Sequence, residues 1–378
     1  MNINAQNYSP WLHRFILVTA AATFLLLGLG GLVTSHEAGM SVPDWPTSYG
    51  YNMFALPIKF WKGGAFFEHT HRLLASAVGV LITILAVWLR FKDSRKWMRW
   101  LGALAFVLVA LQGVLGGLRV TLHMDKLGIV HGALAQLFFV LICALALFTS
   151  RWWKGLERRS PTRREENSAA KQAGSETGVP NLRWFVLFTT ILIFVQLILG
   201  ATMRHQHAGL AIPDFPAAYG KIWPDTGAAA VARYNAGRLE VISENPITAF
   251  QIILQMAHRL VAVAILIGVS VVVWRVRSSG FSRSEPPEGG TPSALRRLAY
   301  LWLALIVGQI MLGAWTIWSN KAADVATAHV LVGALSLVTG ALWCAAAFHG
   351  LEPRSRIEQP AGTISGAFGA HPALATNK

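Results

Sequence analysis

Four histidines stand in or at the start of apolar stretches at paired places in this chain: His71, His131, His258 and His329. Two of them open the same tripeptide, His71-Arg72-Leu73 and His258-Arg259-Leu260. A titratable ring inside an apolar helix is costly and marks a working site by default. Two imidazoles that face one another across a helical bundle suit the two axial positions of a haem iron. Zinc is the poorer reading, because its sites draw four ligands with Cys or carboxylate among them, and no such set converges in the sequence. Cys143 and Cys344 both lie in apolar runs and read as small buried hydrophobes.

Three residues before His71 stands Glu68, and three before His258 stands Gln255. Residues i and i+3 share a helix face, so Glu68 is expected beside any haem bound by His71. A carboxylate there can accept or relay protons, or stabilise developing positive charge. Gln255 cannot ionise. The difference points to chemistry in the first half and electron storage in the second. Arg72 and Arg259 each follow a candidate ligand; they are expected to snorkel to the outer surface and to pair with haem propionates. Arg119, Lys126, Arg204 and Lys221 lie near that surface too, and the sequence does not choose among them. His36, His69, His123, His205 and His207 are read as solvated residues in or beside outer loops.

The elements that must position these groups are membrane spans. Only 13% of the 378 residues are charged and 54% are hydrophobic, far from the roughly 25% charged content of soluble domains. Eight apolar runs long enough to cross a bilayer fall at about 14–34, 70–90, 100–118, 128–148, 183–203, 251–274, 299–318 and 326–348. Of the 33 Lys and Arg residues, 22 lie on the side holding both termini, while the acids divide evenly. That side is cytoplasmic by the positive-inside rule. The net charge of +15 is therefore a topology signal, and nucleic acid is not an expected partner. The first run is too long for a cleavable signal peptide. The segments 155–180 and 278–294 read as cytoplasmic linkers, and the tail after Leu351 as disordered.

The chain is also duplicated. Residues 38–50, AGMSVPDWPTSYG, match 208–220, AGLAIPDFPAAYG, at seven of thirteen positions with a constant offset of 170. The HRL tripeptides match at offset 187, and Gln112, Leu115 and Gly116 match Gln309, Leu312 and Gly313 at offset 197. The fold expected is an all-α polytopic membrane protein of eight helices in two tandem four-helix bundles. Each unit has an even number of spans, so the bundles should be related by a pseudo-two-fold axis along the membrane normal. The expected boundaries are 1–150 for the N-terminal half, 151–182 for the linker, 183–350 for the C-terminal half and 351–378 for the tail. The small residues Gly113, Gly116, Gly117, Gly313 and Ala314 read as helix-packing positions.

With these motifs together, the chain resembles the haem A synthase family, the Cox15 type. The resemblance rests on Glu68-His69-Thr70-His71-Arg72, His131-Gly132, His258-Arg259, His329 and the Gly39…Pro43-Asp44-Trp45-Pro46 loop, and spans about residues 14–348. It implies an oxidoreductase that converts haem O to haem A by successive hydroxylations of the porphyrin C8 methyl group to a formyl group, for cytochrome oxidase. It implies that His258 and His329 are axial ligands of a haem b cofactor, that His71 and His131 form the substrate haem site, and that Glu68 is the catalytic acid. Some members carry a cysteine pair in the first outer loop; residues 35–67 contain none, so this chain resembles the cysteine-free members. A bacterial-type cell membrane, with the haem sites toward its outer face, is the expected location. The basic inner loops would attract an acidic electron donor such as a ferredoxin. Haem O synthase is a neighbour by pathway logic, and a homo-oligomer is compatible with the sequence. The competing readings are a di-haem b-type cytochrome that only transfers electrons, and a haem carrier.

Overall fold

The computed structural model describes residues 9–124, 126–155, 179–237, 246–278 and 291–350. The expected linkers at 155–180 and 278–294 and the expected disordered tail lie, apart from their edges, outside the described residues. The spans are α1 (Pro10–Ser35), α2 (Gly63–Lys92), α3 (Lys96–Thr121), α4 (Lys126–Thr149) and α5 (Val179–His205), followed by a short helix α6 (Ala228–Ala236), then α7 (Ala249–Arg277), α8 (Thr291–Trp318) and α9 (Ala323–Gly350). Among the described residues eight helices are long and apolar enough to cross a membrane, and β-structure is limited to two isolated bridges, Ser48 to Tyr51 and Ala218 to Lys221. This is an all-α polytopic protein.

The ends of these helices follow from local chemistry. Ser9 caps α1 by accepting a hydrogen bond from the Leu12 amide, and Pro10 occupies the first turn, where its missing N–H costs nothing. Thr248 and Gln251 form a reciprocal capping box at the start of α7. Arg90 and Lys92 close α2, and Arg275 and Arg277 close α7, cations set against the negative ends of helix dipoles. α2 begins at Gly63, seven residues before the apolar run, because a helix continues past the point where side chains stop being apolar. Glu68 and His71 therefore lie inside the helix rather than at its start.

Neighbour contacts close α1, α2, α3 and α4 into one ring and α5, α7, α8 and α9 into another. The rings meet through α1 against α9, and through α4 against α5 and α9. The first has a core of Ile16, Val78, Ile82, Leu85, Met98 and Ile142. The second packs Val186, Val269, Val272, Trp302 and Trp343, and Phe139, Ala334 and Val338 join them along the seam. Large apolar side chains such as Leu25, Phe91, Phe188 and Ile267 face outward, as a lipid-facing surface requires. Both cores sit away from the histidines. Around the latter the chain is only half-buried, over 70–76 in α2 and 131–135 in α4. Each bundle is thus packed shut at one end and open at the end where the matched loops lie.

Candidate functional site: two histidine pairs beneath matched loops

Each of the four histidines rests against a glycine of the preceding span. A Cβ added at Gly30 would stand 3.2 Å from Cε1 of His71, and one at Gly116 would stand 3.6 Å from Cε1 of His131. In the second bundle Gly200 and Gly313 would place a Cβ 3.3 Å and 3.2 Å from Cε1 of His258 and His329. Gly30 and Gly200 are related by the offset of 170, and Gly116 and Gly313 by that of 197. At Gly30, Gly200 and Gly313 a Cβ would crowd the Cε1–Nδ1 edge of the ring, whereas at Gly116 it would meet that edge at ordinary van der Waals contact. Gly116 and Gly313, expected to serve helix packing, do so against the histidine rings of the following span.

All four Nδ1 atoms are buried without a hydrogen-bond partner, yet the residues are only half-buried. The open edge of each ring is the Nε2 side. The His258 and His329 ring centres are 6.4 Å apart, at 55°. A metal–imidazole bond is about 2.0 Å, and with the nitrogen-to-centre distance on both sides a shared metal would hold the centres roughly 6 Å apart. His71 and His131 lie close enough for a charge on one ring to act on the other. Among the described residues no group of three or more His, Cys, Asp or Glu could enclose a metal ion. Two histidines per site, at this separation in the second bundle, fit a metal that brings its own equatorial ligands, as haem does. Gln112 and Gln196 donate from Nε2 to the backbone carbonyls of His131 and His258, at 3.1 and 2.9 Å, and fix those turns. Gln196, Gly30 and Gly200 were not singled out from the sequence; the offset of 170 relates Gly30 to Gly200 but places Leu26 opposite Gln196.

The matched loops are built alike in atomic detail. Asp44 accepts the amides of Tyr49 and Gly50, and Asp214 those of Tyr219 and Gly220. The Tyr49 hydroxyl donates to the Ser41 carbonyl, and the Tyr219 hydroxyl to that of Ala211. Gly50 and Gly220 take φ of +77° and +71°, a region that costs glycine nothing. Burial of Asp44 opposes ionisation, but its bonds from Thr47, Gly50 and Tyr49 outweigh that and hold its carboxyl below the ordinary range.

Arg72 and Arg259 bind these loops. Arg72 donates to the carbonyls of Asp44, Thr47 and Val42, and Arg259 to those of Ala217 and Asp214. Both were expected to pair with propionates; in the structure a returning loop brings backbone acceptors within their reach, Arg72 also pairs with Glu68, and Arg259 keeps a buried Nε without a partner. Glu68 is 4% exposed. One oxygen accepts the Val42 amide at 2.9 Å and the other pairs with Arg72 at 2.6 Å. Gln255 holds the equivalent Ile212 amide at 2.7 Å and donates to the Gly209 and Ile212 carbonyls. His69, read as solvated, is 1% exposed; it packs edge-on against Trp61 and lies 3.5 Å from the Ser48 hydroxyl. The loop folds over it, which residue-by-residue hydropathy does not register. His205 is half-buried where α5 meets Gly128 of α4, whereas His36, His123 and His207 are exposed. Cys143 and Cys344 are free thiols.

Residues 13–341 match the family model of COX15-CtaA, described as cytochrome oxidase assembly protein. The chain belongs to this family. It is 27% identical to the heme A synthase of Rhizorhabdus wittichii over 369 residues, covering 90% of this chain and 94% of that protein. It is 24% identical to the heme A synthase of Shouchella clausii, over 80% and 85% of the two chains. The heme A synthase of Sphingopyxis alaskensis is 23% identical, over 92% and 94%. The family match spans both histidine pairs and both loops.

Proposed function

We propose that this protein is a haem A synthase, an oxidoreductase that converts the C8 methyl group of haem O to a formyl group. The observation that carries the reading is the pair of open histidine sites, seated alike on glycines, in a chain whose relatives over nearly their full length are named heme A synthase. His258 and His329 would hold haem b, which supplies one-electron transfer when bound. His71 and His131 bind the substrate haem. Glu68, the only one of the two equivalent residues that can ionise, serves as the acid–base group one turn from His71. Its pairing with Arg72 and the Val42 amide keeps the carboxylate oriented. The bundles are related by an axis along the membrane normal, the termini are cytoplasmic and the histidine sites lie toward the outer face. A soluble acidic one-electron donor, such as a ferredoxin, meets the basic inner loops. A purely electron-transferring cytochrome would need both histidine pairs but would leave the Glu68–Gln255 difference without a purpose.

Glu68→Gln is the discriminating variant. Gln255 shows that an amide holds the equivalent loop amide, so the substitution removes the charge and its pairing with Arg72 and keeps an acceptor for the Val42 amide. The full chain is expressed with a source of haem O, and extracted haems are separated by chromatography. Haem A accumulates with the wild type and falls by at least tenfold with Glu68→Gln. A wild-type haem profile that does not change would sink the enzyme reading.

A further inference from the structure

Arg259 holds its loop through both Nη and keeps a buried Nε without a partner, so a second cation beside the second histidine pair can share the acidic edge of a haem. Arg204 is placed to be that group. It stands four residues after Gly200 on α5, and i and i+4 share a helix face. Gly200 seats His258, so Arg204 lies one turn, about 5.4 Å, beyond that ring toward the loop end. Its charge also reaches His329. Among the described residues only its Nη2 has protein acceptors, the Gly31 carbonyl at 2.9 Å and the Ser35 hydroxyl at 2.5 Å. Nε and Nη1 are left for another acceptor, and no described acid pairs with the guanidinium.

A second cation stands nearby. Lys321, in the α8–α9 turn, has its pKa pushed down by burial, with Glu37 opposing and Arg204 adding to the shift. Both cations are half-buried, and Glu37 is a described acid whose charge reaches Lys321. The first bundle has the reciprocal arrangement. Thr34 occupies the place of Arg204 and bonds back to the Gly30 carbonyl. Arg119 follows Gly116 by three residues, and its counterpart Thr316 bonds back to Leu312. Each bundle thus sets one arginine above one histidine-seating glycine, and a threonine above the other.

We propose that Arg204 is the carboxylate anchor of the haem held between His258 and His329. This rests on the haem reading of that pair. A guanidinium matches a carboxylate with two parallel N–H donors, and a haem held by this pair would turn its charged propionates toward the polar end of the bundle. Arg204 is then a binding residue that also ties the second bundle to α1 of the first.

The test uses the full chain, purified in detergent, freed of haem and titrated with protohaem and with its dimethyl ester, with binding followed by the low-spin absorbance. Wild type binds the free acid more tightly than the ester. Arg204→Gln reduces that preference roughly ten- to hundredfold, the worth of charged hydrogen bonds, and Arg204→Lys keeps part of it. If Arg204 serves only the seam with α1, the variant weakens both ligands alike or neither; an unchanged ratio with the spectrum intact overturns the anchor alone. A wild type that gives no low-spin spectrum with either ligand overturns the haem reading itself, and the anchor with it.

Discussion

The loop after α1 and the loop after α5 share one frame and differ in what they cover. Both are closed by an aspartate that accepts two amides, a tyrosine that bonds back across the turn and an arginine from the following span. Beneath the second loop, Ile212, Ala218, Ile252 and Met256 make an apolar cluster, and the latch is the neutral Gln255. Beneath the first, the matching positions include Ser48, His69 and Glu68, and the latch is an ion pair. Duplication preserved the bonds that shape the loop and let the buried content diverge. Polar groups under a closed loop are costly unless partnered, and the first bundle keeps Ser48, His69 and the carboxylate Glu68 where the second keeps Gln255, the asymmetry on which the proposed division of roles rests.

The largest effect that could break this comparison is loss of a ligand. His258→Ala or His329→Ala is expected to abolish the low-spin b-type spectrum of the purified chain, while His71→Ala leaves it in place. The reverse pattern would exchange the roles of the two bundles. Next comes the latch. Glu68→Ala strands Arg72 and the Val42 amide and is expected to cost about 3–5 kcal/mol in denaturation, whereas Gln255→Ala, which strands neutral partners alone, costs about 1–3 kcal/mol. Equal costs would mean that the ion pair adds nothing to the frame. The seats come third. Gly200→Val crowds His258 and is expected to weaken b-type haem binding about tenfold, from roughly 1–3 kcal/mol of overpacking. Gly30→Val, which crowds His71, is expected to leave that spectrum alone and to lower haem A yield.

The smallest effect is a pH response of the first loop. The Asp44 carboxyl is lowered in the folded state, so the stability it contributes is fully present above the ordinary carboxylate pKa of about 4 and is lost as pH falls through the lowered value. Amide protection factors over residues 41–51, corrected for the intrinsic pH dependence of exchange, are therefore expected to be flat from neutral pH down to that range and to fall below it. Asp44→Asn should remove the step and cost about 1 kcal/mol. A step that persists in Asp44→Asn would assign the response to another group.

Local regularities carried most of the fold. Apolar runs marked eight spans because a bilayer imposes length and composition on every helix that crosses it. The offsets of 170, 187 and 197 exposed the duplication, and the four histidines with the Glu68–Gln255 difference could be read directly. Partners could not. Glu68 meets Val42 across 26 residues and Gln255 meets Ile212 across 43, and Arg204 reaches Ser35 across 169. Which acceptor a donor finds depends on where a loop returns, and hydropathy and helical spacing hold no record of that. Residue types and their repetition by themselves determined the spans, the two halves and the candidate ligands. The tertiary structure alone decided that Arg72 and Arg259 serve the loops, that glycines seat the rings and that His69 is buried, because each follows from contacts between segments that the chain keeps far apart.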